Sequence, residues 1–535
     1  MSDPDAVVIG AGPNGLVAAN VLADAGWKVV VLDAGPSAGG AVRSDHGLDP
    51  RYVHDLFSAF YPLAAASPVI RQLCLEEYGL HWSRAPAVIA HPLTDGRCAV
   101  VATDPQATAD SLERFADGDG SAWLRLYRLW ERIGDDLMDC VFTPFPPVRA
   151  GGRLALRLGY GEGLRVARRL LLPARRFGEE EFAGTGGRLL IAGNALHADL
   201  APESALGGGF GWLMCMLGQA HGFPVPRGGA QALTDALVRR LVAHGGVLHC
   251  GQAAAEVVVS GGRAAAVRTV DGTLITARRA VLAAVPAPVL YERLLRSEHV
   301  PERLRGDLRR FQWDFSTVKV DWALSRPIPW SAEGPRTAGT VHLADSVDEL
   351  TLFAAQIAMR QVPSTPFIVL GQMTTADASR SPTGTESAWA YTHVPQDIAA
   401  DAGADGIAGR WDEREKEAIA DRMEAQIERF APGFAGTVSA RRVLAPPDLE
   451  RLNPALLGGA INQGTTNLHQ QLVFRPTPGT GRPTTHIPGL YLASATAHPG
   501  GGVHGAPGAN AARTALRTRP SLRLRRRRSE CRRSE

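Results

Sequence analysis

The sequence predicts an α/β fold in which a Rossmann-like dinucleotide-binding domain is interrupted by an inserted α+β domain. Three observations carry this reading. A strand, a glycine-rich turn and a helix open the chain. Matching strand and glycine-loop elements return near its end, and the long stretch between them has its own helix and strand patterns. At 535 residues the chain is too long for a single core, and 45% hydrophobic with 21% charged residues is ordinary for a globular protein.

The elements follow in order. Ala6-Val7-Val8-Ile9 is a short apolar run that suits a buried parallel strand. A helix is expected from Gly15 to Ala25 and a second strand from Lys28 to Leu32, making one βαβ unit. Helical stretches dominate from Pro68 to Asp139, and the Arg-rich segment from Arg149 to Ala183 reads as helical or irregular surface. A helix from Ala232 to Ala243 feeds strands near 247–250, 256–260 and 265–270, with Asp271-Gly272 as a hairpin turn before 274–277. A buried strand then spans 279–285. A second sheet is expected from 319–324, 367–372 and 389–394, backed by an amphipathic helix over 412–430. A last strand, 490–493, precedes a glycine-rich loop and a helix from about Gly508.

The expected division assigns 1–70, 226–310 and 456–516 to the dinucleotide domain. Residues 71–225 form a mainly helical part of the substrate domain, 311–455 its sheet and helix, and 517–535 a disordered basic tail.

Gly10-Ala11-Gly12-Pro13-Asn14-Gly15 lies between strand and helix with the G-x-G-x-x-G spacing. Glycines there permit a tight turn, approach of a pyrophosphate and close helix–strand packing, while the helix N-terminus favours negative charge. Asp33 ends the second strand where a carboxylate accepts hydrogen bonds from a ribose hydroxyl. Gly39-Gly40 and Arg43 follow directly; a second glycine pair and a donor fork for phosphate suit FAD rather than NAD.

Residues 7–43 resemble the start of the amine oxidase and phytoene desaturase superfamily of FAD proteins. Pro226-x-Gly228-Gly229-x-x-x-Leu233, 489–495 and 498–505 resemble its further cofactor segments. Trp389 to Pro395 and Gly458 to Asn462 narrow the likeness to the phytoene desaturase-like branch that includes the pyridine nucleotide-disulfide oxidoreductase domain-containing proteins. The resemblance implies a glutathione reductase-type FAD domain, with Ala254 at the adenine and Gly500, Gly501, Gly502 and Val503 against the isoalloxazine ring. The helix that follows would aim its positive end at the flavin. No cysteine lies in that segment, so FAD is expected to be non-covalent.

Lysine is scarce, only Lys28, Lys319 and Lys416, and the Lys319 segment resembles the amine oxidase strand that presents a lysine toward flavin N5. Lys319, His498 and His504 are therefore the catalytic candidates, with a solvent-facing strand-edge lysine as the competing reading of Lys319. Trp389, Tyr391 and His393 are candidates to line the substrate cavity, although such residues are also common in cores.

The expected activity is hydride removal from a C–H bond of a hydrophobic, isoprenoid-like substrate, with O2 or a quinone as acceptor. Amine oxidation, flavin-dependent isomerisation and a non-catalytic protein of the GDP dissociation inhibitor type are the alternatives. Six scattered cysteines offer neither a redox pair nor a zinc knuckle, and no metal-ligand spacing occurs. Absence of a leader or a long apolar run points to a cytoplasmic protein. Residues 513–535 hold ten arginines and two glutamates, leaving the rest of the chain net acidic. No nucleic-acid module is recognised; the tail reads as a solvated, disordered end, with peripheral contact with a membrane as the alternative.

Overall fold

The computed structural model describes residues 3–518. The expected disordered tail lies outside the described residues from position 519 onward. Its first sheet is parallel throughout, in the order Leu490–Leu492, Ala280–Ala283, Ala6–Ile9, Val29–Leu32, Val247–His249. Strands from the start, middle and end of the chain thus lie side by side. Ala6 to Ile9 are buried on both faces, because helices cover one face of the sheet, while residues of an antiparallel three-stranded sheet and the short helical turns at 287–294 cover the other. The first helix, Pro13–Asp24, starts two residues earlier than the pattern suggests, with Pro13 at its first position, where a fixed φ and a missing N–H cost nothing. The last helix, Ala506–Arg517, likewise begins early, at a turn containing Pro507.

An antiparallel three-stranded sheet, Ala254–Ser260, Arg263–Thr269 and Leu274–Thr276, lies beside the first, its second turn closing at Asp271-Gly272 as expected. The inserted sheet has seven strands, ordered Val438–Leu444, Ser316–Leu324, Glu386–Val394, Ile368–Gln372, Ala338–Leu343, Ala87–Pro92, Cys98–Val101. Val438–Leu444 and the last three were not anticipated. The segment 68–139, read as predominantly helical, supplies two of them. Ala87–Pro92 pairs with Cys98–Val101 on one side and joins the sheet through Ala338–Leu343, some 250 residues distant in the chain. The Arg-rich stretch forms two helices, Val148–Leu171 and Ala174–Glu181.

Alternation organises the Ser316–Leu324 strand. Val318, Val320, Trp322 and Leu324 pack with Ile419, Met423 and Ile427 of the Glu413–Glu428 helix. Thr317, Lys319 and Asp321 therefore project to the opposite face, toward the first domain.

A buried charge cluster ties the inserted sheet to the rest. Arg380, fully buried, donates to Asp55 Oδ1 at 3.0 Å, Asp377 Oδ2 at 3.1 Å and Pro226 O at 3.2 Å. Asp55 also accepts from Ser44 Oγ and from the Ala230 N–H. Arg380→Met strands Asp55 and Asp377 in a dry interior, so it is expected to cost about 3–5 kcal/mol in urea unfolding. A loss below about 1 kcal/mol, the range of exposed pairs, would show that the cluster does not hold the domains.

Candidate active site

The first glycine turn is shaped by contacts that only glycine tolerates. A Cβ on Gly15 would lie 1.9 Å from Gly10 O, so the helix can approach the strand only without a side chain there. Gly12 is different: its Cβ would meet nothing nearer than Gly40 Cα at 3.9 Å, leaving the turn open on its cavity side. The Pro13–Asp24 helix has no side-chain cap at Gly12, and Asn14 Oδ1 is buried without a partner. Helix N–H groups thus remain for an anion. Asp33 braces the turn, its Oδ2 accepting from Ala11 N at 2.6 Å and its Oδ1 from Gly35 N at 2.7 Å.

The second glycine pair packs against the first turn, with Gly39 N donating to Ala11 O at 2.9 Å. Arg43 differs from expectation. Its Nε donates to Gly40 O at 3.1 Å and its Nη2 to Leu452 O at 2.6 Å, over the Phe57 ring. Two arms of the fork thus clamp backbone rather than standing free for phosphate. Ala254 opens its strand at the cavity wall.

The C-terminal loop arrives at the same place. A Cβ on Gly508 would lie 1.9 Å from Asn14 O, so the last helix presses directly on the start of the first. Gly501, Gly502, Val503 and His504 line the cavity; Gly500 stands behind them against Arg475. His504 Nδ1 accepts from Ala506 N at 3.1 Å, which places its proton on Nε2, facing Gly501 O at 3.3 Å. His498 does not line the cavity. Its Nε2 lies 2.9 Å from Thr143 O, and burial pushes both imidazoles down to about 4. Neither is arranged as a proton carrier: one is absorbed by its own loop, the other by the end of the Asp119–Phe142 helix.

The cavity, about 570 Å³, runs from Asp33 through the glycine turns to the inserted sheet. Its volume falls in the range of ligand clefts, roughly 300–1,000 Å³. Lys319 lines it and is buried, so it is not a solvent-facing edge lysine. Its ammonium pairs with Asp321 on the same strand face, two residues on, and lies 5.9 Å from the Trp389 ring centre. Burial lowers the amine's pKa, and the Asp321 charge partly opposes this. Asp321 is held in turn by Arg442, which also binds Asp45. Trp389 and Tyr391 form a stacked pair, 6.0 Å apart, in the cavity wall. His393 is not a lining residue: it is buried behind Tyr391 and against Phe315, near Thr317 Oγ1.

Several groups at the site were not anticipated. Arg475 is fully buried, lines the cavity and donates to the carbonyls of Asn462, Thr465 and Ala495, fixing the loop against the Gly500 segment. As one arginine among 54 it carries no sequence signal of its own. His197 and Thr340 reach the cavity from elements that are far apart in the chain. Burial pushes His197 down to about 4, and its Nδ1 and Thr340 Oγ1 have no protein partner. Asp314 accepts from Asn462 N and Gly464 N, both at 2.8 Å; burial and neighbouring Asp199 push its carboxyl up to about 7.

The glycine geometry fits a dinucleotide, since the two open turns, the free helix start and Asp33 converge on one channel. No cysteine stands among the described lining residues. Gly12→Ala should fold, because its new methyl meets only cavity, yet retain FAD at least about tenfold more weakly in equilibrium dialysis. Unchanged affinity would remove Gly12 from the site. Asp314 supplies a pH test. Its raised folded pKa makes ionisation a cost of the native state, so its favourable contribution is lost as pH rises through about 7. The melting temperature of the native protein should fall more than that of Asp314→Asn between about pH 6 and pH 8. Parallel curves would overturn this.

Comparison with known proteins agrees with this geometry. The family model described as flavin containing amine oxidoreductase matches residues 14–515. The chain is 29% identical over 556 residues to the mouse pyridine nucleotide-disulfide oxidoreductase domain-containing protein 2, covering 96% of this chain and 93% of that protein. It is 24% identical to the neurosporene-forming phytoene desaturase of Rhodobacter capsulatus over 93% of this chain and 91% of that one. An oxidoreductase structure from Methanosarcina mazei superposes with a TM-score of 0.63 at 15% identity, covering 96% of this chain and all of that one, a likeness of fold. The chain belongs to the flavin containing amine oxidoreductase family, as an FAD-dependent oxidoreductase.

Proposed function

We propose that this enzyme removes hydride from a C–H bond of an uncharged, hydrophobic substrate and passes the electrons to O2 or a quinone. The distribution of charge around the cavity carries the reading. Asp33 is the sole carboxylate among the described lining residues, and both its oxygens are engaged at the dinucleotide end. The other charged lining groups are Arg43, Lys319 and Arg475, all cationic. An ammonium substrate would find no counter-charge there, whereas Phe60, Leu63, Phe210, Leu213, Trp389 and Tyr391 offer apolar and aromatic surface. The phytoene desaturase relative supports the same substrate class.

In this reading Gly10, Gly12, Pro13, Asn14, Gly15, Asp33, Gly40, Ala254 and Gly501 to Val503 receive FAD, with Gly39, Arg43 and Gly500 shaping that wall. Residues 71–225 and 311–455 form the substrate domain. Bound FAD supplies a two-electron acceptor. Asp321 orients the Lys319 amine toward the cavity, and the lowered pKa of that amine lets it hold or move a proton on a water beside the reacting atoms. Trp389 and Tyr391 exclude bulk water and position the substrate.

Two measurements test this. Lys319→Met should keep FAD but slow flavin reduction or reoxidation at least about tenfold in stopped flow; unchanged half-reactions would remove Lys319 from the chemistry. Anaerobically, uncharged isoprenoids should reduce the flavin, and alkyl amines of equal length at least about tenfold more slowly. Equal or faster reduction by the amines would overturn the proposed substrate class.

A further inference from the structure

The Val148–Leu171 helix is built the wrong way round for a surface helix of a globular protein. Only Ala150 and Val166 are buried among its 24 residues. Leu154, Leu158 and Leu170 pack partly inward, yet five large apolar side chains point outward: Leu156 is 87% exposed, Tyr160 86%, Val148 75%, Leu164 55% and Leu171 51%. Val148, Leu156, Tyr160 and Leu164 follow a four-residue stride, with glycine at 152. The helix bends at Gly159, whose φ is 67° and ψ 174°, and apolar residues stay exposed on both sides of the bend. Leu472 and Phe474 are also exposed, and their loop reaches the start of this helix, where Phe145 N donates to Gly481 O at 3.0 Å. Seven of the thirteen large apolar residues exposed among the described residues thus lie in this one region.

Arginines fasten the helix down. Arg153 and Arg157 reach Asp136 at 3.0 Å, Arg168 pairs with Glu180 at 2.7 Å, and Arg169 pairs with Glu181 at 2.8 Å. Arg149 and Arg165 have no ion pair among the described residues. The chain's C-terminal end arrives at the same face: Arg517 shares one depression with Val148, Arg149, Ala150 and Arg153. The sequence that continues from there, 519–535, holds eight arginines and two glutamates.

We propose that this face docks on an anionic phospholipid bilayer, with Leu156, Tyr160, Leu164 and their neighbours among the acyl chains and the unpaired arginines on the headgroups. The helix combines outward apolar residues with unpaired positive charge, the combination that binds lipid interfaces. No helix among the described residues is long and apolar enough to cross a membrane, so the contact is in the interface plane. Beneath it runs the Gly207–His221 helix, approached so closely that a Cβ on Gly209 would lie 2.5 Å from Leu170 O. That underlying helix contributes Phe210, Leu213 and Met214 to the cavity wall. One helix layer therefore separates the lipid-facing surface from the cavity. Where the proposed uncharged substrate holds, it is taken from the bilayer; the docking itself does not rest on that reading.

The test uses the full-length, FAD-loaded protein and sedimentation with vesicles of phosphatidylcholine, alone or with about a third phosphatidylglycerol. The protein should sediment with the anionic vesicles and be released by high salt. A triple variant, Leu156→Ser, Tyr160→Ser and Leu164→Ser, changes only exposed side chains. It should bind at least about tenfold more weakly while keeping its flavin content and its flavin reduction by detergent-solubilised substrate. A chain ending at Thr518 should lose affinity for the anionic vesicles in particular. Absence of vesicle binding, or a triple variant that binds as the native protein does, would overturn the proposal. So would a triple variant whose only change is a smaller size in solution, which would assign the face to a second copy of the chain. Failure of the substrate panel in detergent would instead count against the proposed chemistry and leave this surface standing.

Discussion

The close approach of the two ends of the chain is the constraint on which the rest depends. Gly15 lies against Gly10 O and Gly508 against Asn14 O, each at a distance that excludes a single methyl group. Both helix N-termini are thereby brought close together, and the first, at Gly12 to Gly15, faces the cavity with its free N–H groups and its dipole. Placing an anionic cofactor there is the natural consequence. Because the ends must meet, the long stretch of chain between Gly15 and Gly508 has to leave the first sheet and return to it more than once, which is why strands near residues 6, 280 and 490 are neighbours.

The inserted sheet needs its own anchorage, and buried charge supplies it. Arg380 joins Asp55, Asp377 and Pro226 O, while Arg442 joins Asp45 to Asp321. Pairs of this kind contribute little net stability over a well-packed apolar contact, but breaking one is costly. They therefore serve to set one orientation between sheet and cofactor domain. The Arg442–Asp321 link extends into the cavity, because Asp321 also holds the Lys319 ammonium. Domain orientation and the position of the single lining lysine thus depend on the same carboxylate.

Beyond the Asp321 partner of that lysine, the cavity lining is short of negative charge. Burial holds His197, His498 and His504 neutral, and Trp389 and Tyr391 close the wall. Cationic side chains outnumber the carboxylate at Asp33 along the lining. Such an interior tolerates a neutral hydrocarbon chain at little desolvation cost and strongly disfavours an unpaired ammonium. The outward-facing helix one layer away suits the proposed substrate, which would partition into lipid rather than water.

The local chemistry of the chain determined a good deal by itself. The strand–glycine–helix opening, Asp33, the second glycine pair and the 500–505 loop were legible because backbone approach to a phosphate or ring demands glycine at fixed spacing, whatever lies elsewhere. The strand around Lys319 was legible too, as part of a second sheet. Tertiary structure decided what depends on partners distant in sequence. It assigned Ala87–Pro92 to the inserted sheet, since that strand joins it by pairing with 338–343. It turned Arg43 from a phosphate fork into a backbone clamp, took His393 and His498 away from the cavity, and brought His197, Thr340 and Arg475 to it. The sequence pattern around Lys319 left its exposure open as well. Only packing between the inserted sheet and the Rossmann-like domain buries that amine, because solvent access depends on every element that covers a residue and not on the strand that carries it.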